Sequence, residues 1–338
     1  MLFLIFLLIM AQKQNKNQTQ YKNYYCKEDS LKEYLLENGV AVIKNVLSKE
    51  ELELARKELW NMLEFLMQKF KKPFKYNDKS TWRSFYELYP GHSMLLQHWS
   101  VGQAQFIWHI RENPKIVKIF SKLWNCKMEN LLVSFDGMSC HLCPENTNKG
   151  YFRKLWLHSD QSYAKKEFCC IQSWVTLFDV NDGDATLCIK ESSNKLHSKF
   201  GEKFGISSKS DWFQLKNPKH IEFYKDCPIT CVKATAGSIV FWDSRTIHCG
   251  VESRKGRVKQ NIRAVIYLCY LPRNTIADQK VLKKKQKAFN EMRMTSHWAN
   301  MCTTFPKYPR TWGGSLPNVT QLPKPILSSL GLRLAGFD

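Results

Sequence analysis

The chain has 338 residues, of which 43% are hydrophobic and 13% aromatic, so a disordered or fibrous protein is excluded and a sizeable core is expected. Its 51 basic and 30 acidic residues give a formal net charge of +21, an excess that would attract nucleic acid, anionic lipid or an anionic substrate. The lysines are scattered and do not alternate with aromatic residues, as they would in a single-strand-binding groove. A solvated, lysine-rich surface is the favoured interpretation.

The 12 cysteines lie mostly in apolar segments. This distribution favours buried free thiols over a disulfide framework. The spacing of Cys140 and Cys143 is compatible with a metal, but no matching second pair follows, so structural zinc is the minor alternative.

The N-terminal segment is apolar over residues 1–11 and polar over residues 12–23. The apolar part is shorter than the roughly 20 residues that a membrane-spanning helix needs. It has the length of a signal-peptide core, but no positive charge precedes it. We therefore expect residues 1–25 to lie outside the fold and favour a cytoplasmic protein, with secretion or membrane attachment as the alternative if residues 1–11 act as a signal or anchor.

Helices are predicted in the first part of the chain. Residues 31–37 form a short helix that ends at Asn38 and Gly39, and residues 40–46 form a strand. Ser48 and Glu51 make a capping box that begins a long amphipathic helix. A further helix begins at Asn113, with proline at its first position.

From about residue 130 the pattern changes to short β-rich segments separated by turns. The predicted strands cover residues 131–142, 154–160, 168–180, 186–190, 238–242 and 262–271. Residues 281–293 then predict a basic helix. This order indicates an α+β, mainly β fold: a double-stranded β-helix (jelly-roll) core with packed N-terminal helices and a C-terminal helical and loop extension. We expect a single domain over residues 26–338, with a helical part at 26–130, the core at 131–272 and the extension at 273–338.

One group of residues has the pattern of a metal site. His158 and Asp160 lie two apart on a predicted strand, so both side chains point to the same side and can reach one ion. A buried strand and a turn lead to His248 much later in the chain. Two histidines and one carboxylate are the ligand set of non-haem Fe(II) oxygenases, in which three coordination positions stay open.

Arg263 lies fifteen residues after His248, in an otherwise apolar predicted strand. A buried guanidinium is unfavourable unless an anion meets it. A dicarboxylate such as 2-oxoglutarate would supply that anion through a bidentate pair.

These segments resemble the phytanoyl-CoA dioxygenase family of Fe(II)/2-oxoglutarate-dependent oxygenases, from about residue 39 to residue 271. Residues 39–52 resemble the family's opening strand and capped helix. The resemblance implies that His158, Asp160 and His248 bind Fe(II), that Arg263 binds the cosubstrate 2-oxoglutarate, and that Trp174 lines the cosubstrate pocket. With O2 as the third reactant, it implies a hydroxylase that releases succinate and CO2; the carboxylate at Asp160 argues against a halogenase.

The chain differs from the family pattern at residues 190–194 and at Gly250. Candidate substrate contacts are Gln161 and Tyr163, which follow the metal strand, and Gln172 and Thr176, which share a strand face with Trp174. Ordinary packing is an open alternative for each of the four. The other histidines lack ligand-like partners in the sequence and are assigned no role: His92, His98, His109, His141, His197, His220 and His297.

The expected partner is a small-molecule or lipid-like substrate; no specific protein partner is predicted. The first alternative is a basic nucleic-acid-associated protein, which could use the same iron chemistry on a methylated base, but the scattered charge disfavours nucleic acid. The second is a metal-binding scaffold without turnover. Membrane association is expected only through residues 1–11.

Overall fold

The computed structural model describes residues 19–89, 91 and 94–338. They form an α+β fold in which two sheets, almost entirely antiparallel, face each other and helices cover their outer sides. The α-helices are α1 Leu31–Asn38, α2 Lys49–Leu66, α3 Gln105–Arg111, α4 Pro114–Trp124, α5 Pro144–Thr147, α6 His197–Lys203, α7 Pro218–Phe223, α8 Lys280–Asn290 and α9 Ser329–Leu334. Short 3-10 helices lie at Glu28–Ser30, Lys79–Leu88, Val101–Gln103, Met128–Asn130, Ser193–Leu196 and Arg273–Thr275.

The strands are β1 Gln20–Asn23, β2 Val40–Ile43, β3 Leu95–Leu96, β4 Leu131–Val133, β5 Met138–His141, β6 His158–Ser159, β7 Ile171–Thr176, β8 Thr186–Lys190, β9 Phe213–Gln214, β10 Ile229–Lys233, β11 Ile239–Asp243, β12 His248–Val251 and β13 Arg263–Pro272. The first sheet has the order β1-β10-β8-β12-β6-β9, and the second has the order β2-β11-β7-β13-β5-β3, with β4 also paired to β13. Only the β1–β10 pair is parallel among these described strands.

The alternation of side chains along the strands builds the core. In β2, Val40 and Val42 point between the sheets, whereas Ala41 and Ile43 point towards the helices. The inner cluster joins the two sheets through Val40, Val42, Trp174, Leu187, Ile189, Val232, Val240, Trp242 and Val265. Because strand side chains alternate with period two, each strand of the second sheet contributes to both layers.

The helical layer covers the outer face of the second sheet. Phe120 of α4 packs on Phe241 and Tyr270, with ring centroids 5.4 and 4.5 Å apart. The same hydrophobic cluster includes Leu31 near the start of the described chain and Leu334 near its end. The three expected parts of residues 26–338 therefore share buried contacts.

The predicted helix ends are confirmed. At the start of α2, the Glu51 amide donates to Ser48 Oγ (3.1 Å), and the Ser48 amide donates to Glu51 Oε2 (2.7 Å). Asn113 Oδ1 accepts from the Lys115 amide at the start of α4 (3.0 Å). Gly39 ends α1 with φ +77°, a left-handed conformation that glycine adopts without strain.

The predicted N-terminal boundary at residue 25 is wrong for residues 20–25. β1 pairs with β10, and Tyr24 is fully buried with its hydroxyl 2.5 Å from Thr230 Oγ1. Gln20, Lys22 and Asn23 of β1 are polar and exposed, as suits a strand at the edge of a sheet. The hydrophobic pattern therefore did not indicate a strand here. The apolar residues 1–11 lie outside the described residues. No described helix combines the length and hydrophobicity needed to cross a bilayer.

The predicted strand over residues 154–160 is paired only at His158–Ser159. Its partners there are the two-residue strand β9 and the first residue of β12, so the ladder has no room to extend. All 12 cysteines are free, as the sequence predicts.

The C-terminal extension is tied to the segment before β5. The Thr295 amide donates to the Phe135 carbonyl (3.0 Å), and the Phe135 amide donates to Thr295 Oγ1 (3.0 Å). A second link follows, in which the Phe305 amide donates to the Met294 carbonyl (2.8 Å). These bonds hold the loop after α8 against one end of the two sheets.

Lys285 of α8 is fully buried, and its Nζ donates to the Val133 carbonyl (2.7 Å) and lies 4.3 Å from the ring centroid of Phe135. Burial lowers the pKa of Lys285 to about 8. Since an unfolded lysine has a pKa of about 10.4, the unfolded chain holds this proton more tightly, and the folded state gains stability as pH rises from about 8 to about 10.

Replacing Lys285 with methionine removes this titration. Between pH 8 and pH 10 the free energy of unfolding of the wild type is expected to rise by about 2 kcal/mol relative to Lys285→Met. Urea denaturation across this pH range measures the difference. Lys287→Met, which changes an exposed lysine of the same helix, is the control and should show no such trend. A wild-type-to-variant difference that is constant with pH would refute the prediction.

Candidate metal centre and cosubstrate site

His158 and His248 are brought together by the pairing of β6 with β12, in which they are direct cross-strand partners. Their ring centroids are 4.4 Å apart. Asp160 follows β6 and lies with Oδ1 3.6 Å from His158 Nε2 and with Oδ2 3.3 Å from His248 Nε2. One ligand atom from each residue lies within 4.8 Å of the others. The three predicted metal ligands therefore converge on one point.

The orientation of both imidazoles is fixed from behind. His158 Nδ1 lies 3.1 Å from the Trp156 carbonyl, and His248 Nδ1 lies 2.9 Å from the Thr246 carbonyl. A carbonyl oxygen only accepts, so each Nδ1 carries a proton and each Nε2 faces Asp160. This is the usual arrangement of metal-binding histidines, whose second nitrogen donates to a backbone or carboxylate oxygen.

The electrostatics of the three residues favour a cation between them. Burial alone would raise the pKa of Asp160, but the charges and hydrogen bonds of His158 and His248 hold it well below its ordinary value. Burial and the neighbouring His158 lower the pKa of His248. Burial opposes a charge on His158 as well, and the Asp160 carboxylate outweighs it and raises that pKa. Two imidazole nitrogens and one carboxylate that face a single point suit a divalent metal ion, which would take the place of the proton that Asp160 favours on His158.

Asp160 is held by groups that do not face the ion. Gln172 Nε2 donates to Asp160 Oδ2 (3.0 Å) and also lies 3.3 Å from Ser244 Oγ. The Asp160 amide donates to the Ser244 carbonyl (3.0 Å), and His297 Nε2 lies 3.3 Å from the Asp160 carbonyl. The carboxylate therefore has a fixed direction although it lies outside the regular strand.

The Gln172→Leu variant removes the amide that orients Asp160 while keeping a similar volume. We expect its affinity for a divalent metal to fall about 10–100-fold, as is typical when a partner of a metal ligand is lost. Anaerobic titration with Fe(II) or Co(II) measures the change. Ser173→Ala is the matched control, because Ser173 points away from the metal and bonds the Leu268 carbonyl (2.8 Å). Equal metal affinity in both variants would contradict this role for Gln172.

Arg263 lies at the start of β13 and is 2% exposed. Its Nη1 donates to Ser139 Oγ (2.6 Å), and its guanidinium carbon lies 5.4 Å from the ring centroid of Trp174. Its Nε has no hydrogen-bond partner among the described residues. A buried cationic donor of this kind is unfavourable unless an anionic ligand completes it, so the site fits a carboxylate.

Both groups line one cavity of about 570 Å³. The predicted residues in its wall are His158, Asp160, Gln172, Trp174, His248 and Arg263. Gly250, at a position where the chain differs from the family pattern, lines it as well. The metal set and the arginine therefore face the same cavity, as a metal-chelated cosubstrate requires.

Three of the four predicted substrate contacts do not line this cavity. Gln161 braces its own loop, donating to the carbonyls of Lys165 (2.8 Å) and Glu167 (2.9 Å). Tyr163 stacks on His197 with centroids 4.4 Å apart, in the cluster on the outer side of the first sheet. The chain leaves the strand after Asp160, so strand alternation no longer predicts where these side chains point.

Thr176 is fully buried, and its hydroxyl donates to the Phe178 carbonyl (2.6 Å). It follows Gln172 and Trp174 on the same strand face, but it lies beyond the cavity. Of the four candidate substrate contacts, Gln172 alone lines the cavity.

The sequence analysis missed several residues of the cavity wall. His297 was assigned no role, yet it lies in the wall beside Asp160. Trp156 stacks on His158 with centroids 4.5 Å apart and an interplanar angle of 16°. Asp136 lies just before β5, at the end of a mainly apolar run that closes with Asp-Gly. That carboxylate after an apolar run was the feature of the sequence that could have indicated a site residue. Trp212 and Trp298 come from loops that no periodicity identifies. Cys140 and Cys143 do not belong to the metal-binding group found among the described residues.

Comparison with known proteins gives relatives of low sequence identity. No family model matches the chain. It is 25% identical over 268 residues to "Ava biosynthesis cluster protein O" from Aspergillus versicolor, which covers 77% of this chain and 82% of that protein. It is 27% identical over 176 residues to a "Putative phytanoyl-CoA dioxygenase" from Dictyostelium discoideum, which covers 50% of this chain and 43% of that protein.

The fold is shared with a solved structure, "Putative Oxidoreductase from Salmonella typhimurium LT2", with a TM-score of 0.58 and 12% identity. That match covers 98% of this chain and 89% of the other. The match to the Dictyostelium protein and the buried His-Asp-His set together support the resemblance of this chain to the phytanoyl-CoA dioxygenase family.

Proposed function

We propose that the chain is an Fe(II)- and 2-oxoglutarate-dependent dioxygenase that hydroxylates a small organic molecule and releases succinate and CO2. The observation that carries this proposal is the convergence of His158, Asp160 and His248 in a cavity that also holds a buried, incompletely bonded Arg263. The two facing sheets would correspond to the double-stranded β-helix of such enzymes.

In this proposal, the residues of the cavity have separate roles in metal binding and cosubstrate binding. His158, Asp160 and His248 would hold Fe(II), which when bound supplies the oxidising chemistry with O2 and 2-oxoglutarate. Arg263 would bind the distal carboxylate of 2-oxoglutarate and so fix the orientation of the cosubstrate in the cavity. Trp174, beside the guanidinium, would exclude water from this ion pair and strengthen it. Gln172 would keep the Asp160 carboxylate turned to the ion.

The test is anaerobic loading of the full chain with Fe(II) and 2-oxoglutarate, followed by O2 and quantification of succinate. We expect succinate to form slowly without substrate and faster when a pool of small molecules contains one. Absence of succinate from protein that has bound iron would reject the proposal and favour a metal-binding scaffold. Retention on nucleic acid with a steep salt dependence would favour the nucleic-acid alternative.

A further inference from the structure

The cavity has two halves of different origin. Its inner half consists of side chains from the sheets, including the metal and cosubstrate residues. We call the other half the outer wall; it comes from β3 and the residues around it, from loops and from the C-terminal extension. The outer wall consists of Leu95, Gln97, Asp136, Trp156, Ser210, Asp211, Trp212, Ser296, His297, Trp298, Met301, Thr303 and Phe305. A substrate that approaches the metal centre from outside would contact this wall.

The outer wall is aromatic and acidic. It contains three tryptophans and a phenylalanine, and Trp212 is 51% exposed. Among the described residues lining the whole cavity, Arg263 is the sole lysine or arginine, although the chain has 51 such residues. The cavity thus reverses the charge of the protein as a whole. Lys165 lies next to the outer wall, 4.0 Å from the ring centroid of Trp298, but its charge is already paired with Asp211. The outer wall itself therefore offers no unpaired lysine or arginine to bind the phosphates of an acyl thioester of coenzyme A or of another phosphorylated substrate.

Asp136 is the acid of the outer wall that forms no ion pair within 4 Å with another described residue. The charges of His297 and Arg111 and a hydrogen bond from Gln97 favour its ionised form, but burial outweighs them. Asp211 is bound by Lys165 through both carboxylate oxygens (2.9 Å each). Asp136 is 8% exposed and lines the cavity, and its Oδ1 accepts from the Gly137 amide (2.7 Å). Burial raises the pKa of this carboxyl, so a cationic partner would be favourable for it.

The position of Asp136 is rigid. The fully buried Arg111 donates through Nη2 to the Asp136 carbonyl (2.5 Å) and through Nη1 to the Gly102 carbonyl. The chain passes so close at Gly137 that a Cβ there would lie 2.1 Å from the Leu96 carbonyl oxygen. A backbone fixed by a buried guanidinium and by close packing holds a carboxyl in one place, as a recognition residue requires.

From these observations we infer that the substrate is a small molecule with a protonated amine attached to an aromatic or apolar ring system. The amine binds the Asp136 carboxylate, and the ring system packs on Trp156, Trp212 and Trp298, where tryptophan faces also attract a cation. This inference rests on the proposed oxygenase function for its use in catalysis, but the binding it predicts is measured separately.

The test uses three probes that differ only in the head group: 4-phenylbutylamine, 4-phenyl-1-butanol and 5-phenylpentanoate. Isothermal titration calorimetry of the full chain, loaded anaerobically with Fe(II) and 2-oxoglutarate and also without both, measures their affinities. We expect the amine to bind at least about ten-fold more tightly than the alcohol and the carboxylate. Asp136→Asn should abolish that preference, whereas Asp182→Asn, at an exposed aspartate outside the cavity, should retain it.

An amine that binds no more tightly than the other two probes, including no detectable binding by any of them, overturns the inference. A preference that persists in Asp136→Asn, or that is lost in Asp182→Asn, also overturns it. If Asp136→Asn does not fold, as judged by circular dichroism, the wild-type affinities alone test the inference. Tighter binding of the amine than of the other two probes then supports it, and any other order overturns it. Amine selectivity without succinate formation would reject the proposed function alone, and succinate formation without amine selectivity would reject this inference alone.

Discussion

The His158→Ala variant is expected to lose bound iron and, with it, succinate formation. Loss of a group that hydrogen-bonds a metal ligand already lowers metal affinity about 10–100-fold, so loss of the ligand itself should lower it by more. The two remaining groups, Asp160 and His248, provide one carboxylate and one imidazole, which hold Fe(II) weakly in water. Iron per chain after anaerobic gel filtration and the rate of succinate release measure the two effects.

The matched control is His109→Ala. His109 lies in α3, where its ring faces Glu58 at the surface (3.5 Å), and it does not line the cavity of the metal set. It should bind iron as the wild type does. His158 also stacks on Trp156, so its loss could disturb the local packing. Circular dichroism and the melting temperature therefore check that the His158→Ala variant is folded. Stoichiometric iron in a folded His158→Ala protein would contradict the ligand assignment.

The second large effect is expected at Arg263. In Arg263→Met the KM for 2-oxoglutarate should rise about 10–100-fold, because a charge-assisted bond to the distal carboxylate is lost, while iron binding stays at the wild-type level. The KM of Arg263→Lys should lie between those of the wild type and Arg263→Met, since an ammonium keeps the charge but lacks the planar fork of donors. Steady-state succinate formation at varied 2-oxoglutarate gives these constants.

A 2-oxo acid without the distal carboxylate, such as 2-oxobutanoate, makes the test specific. The wild type should discriminate strongly between it and 2-oxoglutarate, and Arg263→Met should treat the two nearly alike. Arg254→Met, at a partly buried arginine outside the cavity, is the control. If Arg263→Met kept the wild-type preference for 2-oxoglutarate, the distal carboxylate would have to bind elsewhere.

The sequence predicts the elements whose signals are local. The cap of α2 at Ser48 and the alternation that turns Gln172 and Trp174 inward are read from residues a few positions apart. The direct pairing of His158 with His248 is different, since it depends on the register of two short strands that are distant in the chain. Residue type and order indicated that the two belong to one site, but only the sheet shows them as neighbours.

The outer wall could not be predicted because its residues follow no period. His297 and Trp298 come from the extension, whose path over the core depends on hydrogen bonds between Thr295 and Phe135. Asp136 lies in the short connection between β4 and β5, and its role appears only once Arg111 and the close approach at Gly137 are visible. Tertiary contacts, rather than local preference, decide the substrate side of the cavity.

The separation between strand-borne ligands and a wall made by loops has an evolutionary consequence. Residues 296–305 border the cavity through an extension that carries none of the three metal ligands, so they can mutate while reactivity is inherited unchanged. Descendants of one ancestral gene could in this way acquire new specificities by drift in a single peripheral stretch. Grafting that stretch between homologues would be an economical route to altered selectivity in the laboratory.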